Sequence, residues 1–452
     1  MSNTEERGSN QTLVLSIQKA LAANDLLSVR DALARVHPSE IADLLESVPS
    51  EIRDELWVHV KPEVEGDVLA EANDRVRAAL LENMFAHEVA AATETLDTDD
   101  AADILQDLPE YRAEEVLRSM DEQNRTRIAA VLSYSEDTAG GLMNVDVVTV
   151  RADVEAETVL RYMRLRGSIP DKTDSLIVVD RENTYVGLLS LASLVTAAPE
   201  SYVADLMSIE ADGIPARTPA ASVALVFEQR DLLSAAVVDD AGTLLGRITV
   251  DDVIDVIREQ SEHSFMSAAG LDEEDDIFAP VLVSTKRRAM WLGINLATAF
   301  VAAWVIGRFE ATIEQLVALA ILMPVVASMG GVAGSQTLTI VIRGLALGHI
   351  GSANARLLLY RELGIGVMNG LMWAFVVALI AGLWFSDLWL GIVIGLAVVV
   401  NLVVAAFSGA VIPMMLQKMN VDPALAGGVV LTTVTDVVGF IAFLGLATLL
   451  LL

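Results

Sequence analysis

Three regimes of hydrophobic spacing divide the chain. Up to about residue 135, apolar residues return every third or fourth position (Leu26, Val29, Leu33 and Val36 form one such row) and β-branched alternation is rare. This predicts amphipathic helices joined by short turns. Within this stretch IADLLESVP at 41–49 is echoed by AADILQDLP at 101–109, 60 residues on. Two helix-plus-proline units predict a right-angled helical array, a superhelix-like domain. From 136 to 262 short β-branched runs alternate with helical stretches. Segments 177–195 (IVVDRENTYVGLLSLASLV) and 236–254 (AVVDDAGTLLGRITVDDVI) align at an offset of 59, each as a VVD run, a turn, a glycine (Gly187 and Gly246), a strand and a helix start. Two copies of one small α/β module are therefore expected. Residues 255–285 read as a helix leading into an acidic loop, DEEDD at 272–276. Five apolar spans follow, at 290–307, 316–342, 363–385, 388–416 and 424–452, most of them near or above the ~20 residues that cross a bilayer. The expected fold class is multidomain: an all-α superhelical N domain (1–135), an α/β tandem pair (136–200 and 201–262), a connecting helix and linker (263–288), and a five-helix α transmembrane domain (289–452).

Charge sharpens the division. Residues 281–452 hold 8 Lys/Arg and 6 Asp/Glu, a balance of +2, against a net charge of −32 for the whole chain. Residues 1–280 therefore carry −34, a field that repels nucleic acid and attracts cations. The alternative is a solvated acidic surface suited to a salt-rich cytoplasm, which the 5 Lys against 25 Arg would fit. There is no cysteine, hence no disulfide framework, thiolate metal site or cysteine nucleophile. The opening MSNTEERGSN has neither a basic start nor an apolar core, so no signal peptide is expected. Lys286, Arg287 and Arg288 precede the first span, Arg343, Arg356 and Arg361 lie between the second and third, and Lys418 lies between the fourth and fifth. The other loops carry Arg308 with Glu310 and Glu314, and Asp387. The positive-inside rule places the first 285 residues in the cytosol and the C-terminus outside.

The last span, ALAGGVVLTTVTDVVGFIAFLGLATLLLL, holds one charge in 29 residues, Asp436. A carboxylate in mid-membrane costs about 2.5–3.5 kcal/mol on insertion scales and normally faces a bundle interior or a wet path. Asp436 is thus expected in the wall of a cation path, or paired with a neighbouring helix. Thr432, Thr433 and Thr435 add hydroxyls, and Gly427, Gly428 and Gly439 keep the helix slim. In the second span, MPVVASMGGVAGSQT at 323–337, Pro324 deprives the Ala320 carbonyl of its helical donor, and such a carbonyl must be met by protein, water or an ion. Gly330 and Gly334 offer a small face for close helix approach, and Ser328, Ser335, Gln336 and Thr337 add polar groups. An oxygen-only inventory suits Mg2+, Ca2+ or Mn2+ rather than zinc or copper. Mg2+ usually keeps several waters, so one Asp436 per chain, doubled about a dimer axis, could hold a hydrated ion.

In the soluble part, Asp99 and Asp103 are four apart and share a helix face. Either a divalent cation relieves their repulsion, or Asp97 or Thr98 caps the helix and the acids complement its dipole. The duplicated module resembles a tandem pair of CBS domains, which commonly bind adenine nucleotides or sense ions. Asp251 and Asp252 stand where such modules often contact a ribose, or they start the next helix.

MPVVASMGG with the following glycine, glutamine and arginine, RELGIGVMNG at 361–370, Pro413, and Val421-Asp-Pro-Ala followed by Thr432, Thr433 and Asp436 resemble the MgtE family of magnesium channels. So does the order of parts, including YSEDTAGGLM at 134–143 before the CBS pair and a connecting plug helix after it. The resemblance implies a homodimer of the cell membrane, gated by cytosolic Mg2+ and possessing a central pore lined by the second and fifth spans. Asp436 then holds hydrated Mg2+, and Asp422 stands at the cytosolic mouth. Thr432, Thr435, Gly428 and the Ala320 carbonyl would join the path. Asp67, Asp99 and Asp103 resemble Mg2+-sensing positions of the N domain, and Asp231, Asp252 and Asp255 resemble acids of the second CBS module. ATP at the CBS pair is a further implied ligand. The chain departs from the family where Val332, Ser335 and Gly428 replace Asn. At the start of the plug helix, Gln260, His263 and Ser264 stand for acids that bridge through Mg2+. Those changes imply weaker gating, or gating that rests on the N domain and CBS dimer. A same-fold transporter of Mn2+, Co2+ or Ca2+, or an ion-coupled exporter, fits the same pattern. A membrane metalloprotease does not, because no HExxH occurs and His349 is the only histidine after 285. No GxxxxGK[ST] stretch points to an NTPase.

Overall fold

The computed structural model describes residues 16–452 except 18, 22, 24, 210, 211, 269, 270, 272–280, 352 and 420, and leaves out the side chains of 264, 268, 283 and 287. The acidic loop at 272–276 lies outside the described residues. The chain forms two units, one ending at Ser261 and the other beginning at Glu262.

In the first unit the described helices from Leu26 onward run in succession: α1 (Leu26–Leu33), α2 (Pro38–Glu46), α3 (Ser50–Trp57), α4 (Pro62–Glu71), α5 (Asp74–Asn83), α6 (Ala86–Thr93), α7 (Thr98–Gln106), α8 (Glu110–Ser119) and α9 (Glu122–Val131). Proline sets the corners. Pro49 and Pro109, which close the two sequence echoes, are the N-cap residues of α3 and α8 with extended ψ of 155° and 142°. A proline biases the residue before it away from the helical region, so one helix stops and the next starts at an angle. The buried rows Ile41, Leu44, Leu45 and Ala101, Ile104, Leu105 join one core.

The repeated module folds twice as a three-stranded sheet. β1 (Thr149–Arg151), β2 (Ser175–Val179) and β3 (Tyr185–Ser190) are matched by β4 (Ile214–Pro215), β5 (Ser234–Val238) and β6 (Leu244–Thr249). In each sheet the first pair is parallel and the second antiparallel. The repeated glycines occupy equivalent positions, Gly187 opposite Val178 and Gly246 opposite Val237. A Cβ on Gly187 would lie 2.5 Å from the Ser208 carbonyl oxygen, and one on Gly246 would lie 2.7 Å from that of Asn144. Glycine is needed there because a crossing segment touches each strand. Between the strands run α10 (Ala156–Arg166), α11 (Leu191–Thr196), α12 (Val203–Leu206) and α13 (Ala220–Arg230), and α14 (Val250–Ala268) leaves β6 directly.

The second unit contains α15 (Val281–Gly307), the short α16 (Glu310–Gln315), α17 (Ala318–Ala346), α18 (Ala355–Phe385), α19 (Leu388–Lys418) and α20 (Pro423–Leu450). Five of these are long and apolar enough to cross a membrane. α19 is central: 61% of its most apolar window is buried, against 11% for α15. Gly330 and Gly334 pack as expected of a small face, Gly330 against Asn401 and Gly334 against Leu431 and Gly409.

Candidate ion path and acidic cluster

Asp422 caps α20 by accepting from the Ala424 N–H at 2.8 Å, and Pro423 takes the first helical position. Two turns further, Thr432, Thr433 and Thr435 fold their hydroxyls back onto carbonyls of the preceding turn, at 3.0, 2.7 and 3.1 Å from Gly428, Val429 and Leu431. Each satisfies its own donor and leaves its oxygen as an acceptor. Asp436 follows one turn after Thr432. It is half-buried, and among the described residues its carboxylate has no hydrogen bond or ion pair.

That carboxylate lies in an open groove of about 930 Å3 between α17 and α20. Its walls are Ala327, Ser328, Gly331, Val332, Ser335, Gln336, Thr339 and Ile340 of one α17 face, with Thr432 and Asp436 opposite. Helical spacing produces this face, since 328, 332, 335 and 339 recur every third or fourth residue. The groove is small-residue and hydroxyl-rich, with Val332 where the resemblance expects an amide.

The structure alters several expectations. Thr435 is fully buried with its hydroxyl bonded inside α20, and it does not line the groove. Ala320 is outside the groove as well, and α17 continues through Pro324 without a break. Gly428 has open space where a Cβ would stand. A residue missed in the sequence is Asn401 of α19. It is 0% exposed, donates to the Val326 carbonyl at 2.8 Å, and fits only because Gly330 and Gly439 present no side chain to it. Asn401 thus ties α17, α19 and α20 together beside the groove. A lone amide in an apolar span was its available signal. Near the start of α20, His263 Nε2 of α14 lies 3.2 Å from Asp422 Oδ2, a direct contact between protein groups at a place where the resemblance expects metal bridging.

The first unit holds the acidic cluster. Asp97 occupies the N-cap position of α7 but makes no side-chain capping bond, and the Thr98 hydroxyl turns to Asn144 Oδ1 at 3.5 Å instead. Side-chain capping therefore does not explain the acids that follow. Asp99 is 7% exposed and its Oδ1 is buried without a partner. Burial, then the charges of Asp252, Asp100 and Asp97, push its pKa well above the usual carboxylate value. Burial and Asp97 raise Asp100 to about 6 although Lys172 opposes them. Burial raises Asp103 to about 7 against the pull of Arg77, whose guanidinium is paired with Asp107 and Asp74. Asp252 rises to about 7 through burial and the neighbouring Asp251. Its carboxylate accepts from the Thr249 N–H at 2.9 Å, so it also starts α14. For Asp251, burial is outweighed by hydrogen bonds from Lys172 and Thr249, which hold it below the ordinary range.

Of the acids the sequence singled out, Asp99, Asp103 and Asp252 join this cluster. Asp67 is exposed on α4. Asp231 is exposed as the left-handed C-cap of α13, and Asp255 is exposed and paired with Arg258 at 3.2 Å. Lys172, on a loop far from the helix it serves, gave no signal in the sequence. Among the described residues no three His, Asp or Glu side chains converge as a preformed metal cage. In the cluster, acids outnumber the nearby Lys172 and Arg77, and one oxygen, Asp99 Oδ1, is orphaned, chemistry that an added hard cation fits.

Raised carboxyl pKa values have a consequence for stability. Such a group binds a proton in the folded state that the unfolded chain has released, so stability is full below the ordinary pKa and is lost as pH rises through the folded one. Without divalent ions, the unfolding temperature is expected to fall between pH 3.8 and about 7. Asp103→Asn should flatten that slope, and thermal scans across this range in chelator measure it.

Family models match residues 36–137 as the MgtE intracellular N domain, 139–200 and 203–259 as CBS domains, and 323–446 as the MgtE divalent cation transporter. The magnesium transporter MgtE of Thermus thermophilus is 30% identical over 98% of this chain and 99% of its own. That of Bacillus subtilis is 26% identical over 96% and 97%. The crystal structure of the cytosolic domain of the Mg2+ channel MgtE in complex with ATP is matched with a TM-score of 0.50 and 30% identity, covering 54% of this chain and 99% of that one.

Proposed function

Because the chain belongs to the MgtE family of divalent cation transporters, we propose that it carries Mg2+ into the cytosol through a path in which Asp436 is the central charge. The observation that carries this reading is the unpaired Asp436 carboxylate in a groove lined by small and hydroxyl side chains. A groove open on one side suits a homodimer, in which two copies face each other and present two carboxylates to one ion. Mg2+ keeps its inner waters, so Asp436, Thr432, Ser328, Ser335 and Gln336 act through those waters, and Asp422 draws ions to the cytosolic end. The membrane potential drives entry, at about 4.6 kcal/mol per 100 mV for a double charge.

Regulation is assigned to the acidic cluster. When cytosolic Mg2+ is scarce, Asp99, Asp100, Asp103 and Asp252 repel one another across a buried space. When it is abundant, the ion neutralises them, draws α7 and the start of α14 together, and closes the path. The CBS pair is proposed to take ATP, as the cytosolic domain of a relative does. A ribose at Asp251 would compete with Lys172, and Asp252 is the alternative contact. The lysines and arginines flanking the spans support an orientation with both soluble domains in the cytosol and the C-terminus outside.

A second reading, transport of another divalent ion, is favoured by Val332 in the groove wall, where an amide would select more sharply. Flux from mixtures of Mg2+, Mn2+, Co2+ and Ca2+ into proteoliposomes separates the two. Mg2+ is expected to be carried in preference, and preference for any of the others would replace the first reading by the second.

A further inference from the structure

The third membrane helix carries a carboxylate that the proposed ion path does not use. Glu362 stands seven residues into α18 and is 5% exposed. The Thr337 hydroxyl of α17 donates to its Oε2 at 3.1 Å, and among the described residues it has no ion pair. It borders a second cavity, of about 180 Å3, between α17, α18 and α19. That space takes roughly six waters at about 30 Å3 each. Gln336, Thr337 and Asn369 supply its neutral oxygens, and the remaining wall is largely aliphatic. Gln336 and Ile340 border the Asp436 groove as well, so one stretch of α17 separates the two spaces.

An ionised carboxylate offers about four acceptor positions, and one hydroxyl fills one of them. We infer that this cavity is a binding site for a monovalent metal cation of Na+ size, held by Glu362 with oxygens of Thr337 and Asn369. Charge selects the class. One carboxylate balances one positive charge, whereas a divalent ion would leave net charge in a low-dielectric enclosure. Arg361 also borders the cavity, but it is exposed, so solvent screens its charge from the buried carboxylate. Hard oxygen donors fit an alkali cation and not a soft metal. The Asp436 groove is open and about five times larger by volume, which suits an ion that keeps its full water shell.

The test is thermal unfolding of the purified full-length protein in detergent, free of divalent ions and at fixed ionic strength, with either Na+ or N-methyl-D-glucamine as the cation. The site predicts a Na+-dependent rise in unfolding temperature that follows one-site linkage. Glu362→Gln keeps the side chain's shape and its bond to Thr337 but removes the charge, and should abolish the rise. Asn369→Leu, which replaces an oxygen ligand by an aliphatic side chain while leaving Glu362 in place, is the second variant and should abolish it too. Equal unfolding temperatures of the wild type in both cations would overturn the inference, as would a rise that survives in both variants. A stabilisation that tracks pH instead of Na+ would assign a proton to Glu362 and overturn it equally. The readout involves no transport, so its failure is distinct from a failure of the proposed pore.

Discussion

Asp436→Asn is expected to lower Mg2+ flux by about a hundredfold while leaving the protein folded. A doubly charged ion held through one water lies about 5 Å from the carboxylate, an attraction of about 1.7 kcal/mol even at the dielectric constant of bulk water. Two copies across a dimer axis double it, and each 1.4 kcal/mol is a factor of ten. Asn keeps the size and still accepts hydrogen bonds, so the loss reports the charge. Folding should survive because Asp436 supports no hydrogen bond or ion pair among the described residues. Tracer flux into proteoliposomes, with unfolding temperature as the control, decides it. Unchanged flux would return Asp436 to a packing role.

The double variant Asp99→Ala, Asp103→Ala is expected to move closure to several-fold higher cytosolic Mg2+ and to flatten the response. Two effects compete. Removing buried like charges relieves repulsion, which by itself would favour the compact form without any ion. Removing ligands weakens the ion that couples the cluster to closure. Asp99 has the orphaned oxygen and the strongest burial of the cluster, so the loss of a ligand is taken to dominate. A shift to lower Mg2+ would mean that these charges act by repulsion alone. An unchanged curve would leave them as acids that complement the start of α7.

Much of the fold and of the groove's lining was legible in the residues, and what was not has physical reasons. A single charge in 29 apolar residues announced Asp436, and the VVD-to-glycine repeat announced both sheets because a crossing strand forbids a side chain at Gly187 and Gly246. Thr435 is three positions from Thr432, so spacing alone leaves it near the same face; burial among the neighbouring helices, which the sequence does not display, takes it out of the groove. The Ala320 carbonyl was named from backbone chemistry, which says where a hydrogen bond is lost but not which way the group faces. Asp67, Asp231 and Asp255 rested on resemblance, and each is exposed here. Lys172 and Asn401 act through tertiary contacts, 79 positions from Asp251 and 75 from Val326, a distance at which periodicity carries no information.

The central claim is a Mg2+ path closed by cytosolic Mg2+, and the most direct measurement is Mg2+ entry into liposomes holding the purified full-length protein, with Mg2+ on the cytosolic face varied. The account predicts entry that is fast at low cytosolic Mg2+ and falls as it rises. Entry that is absent at every concentration, or that ignores cytosolic Mg2+, would contradict it.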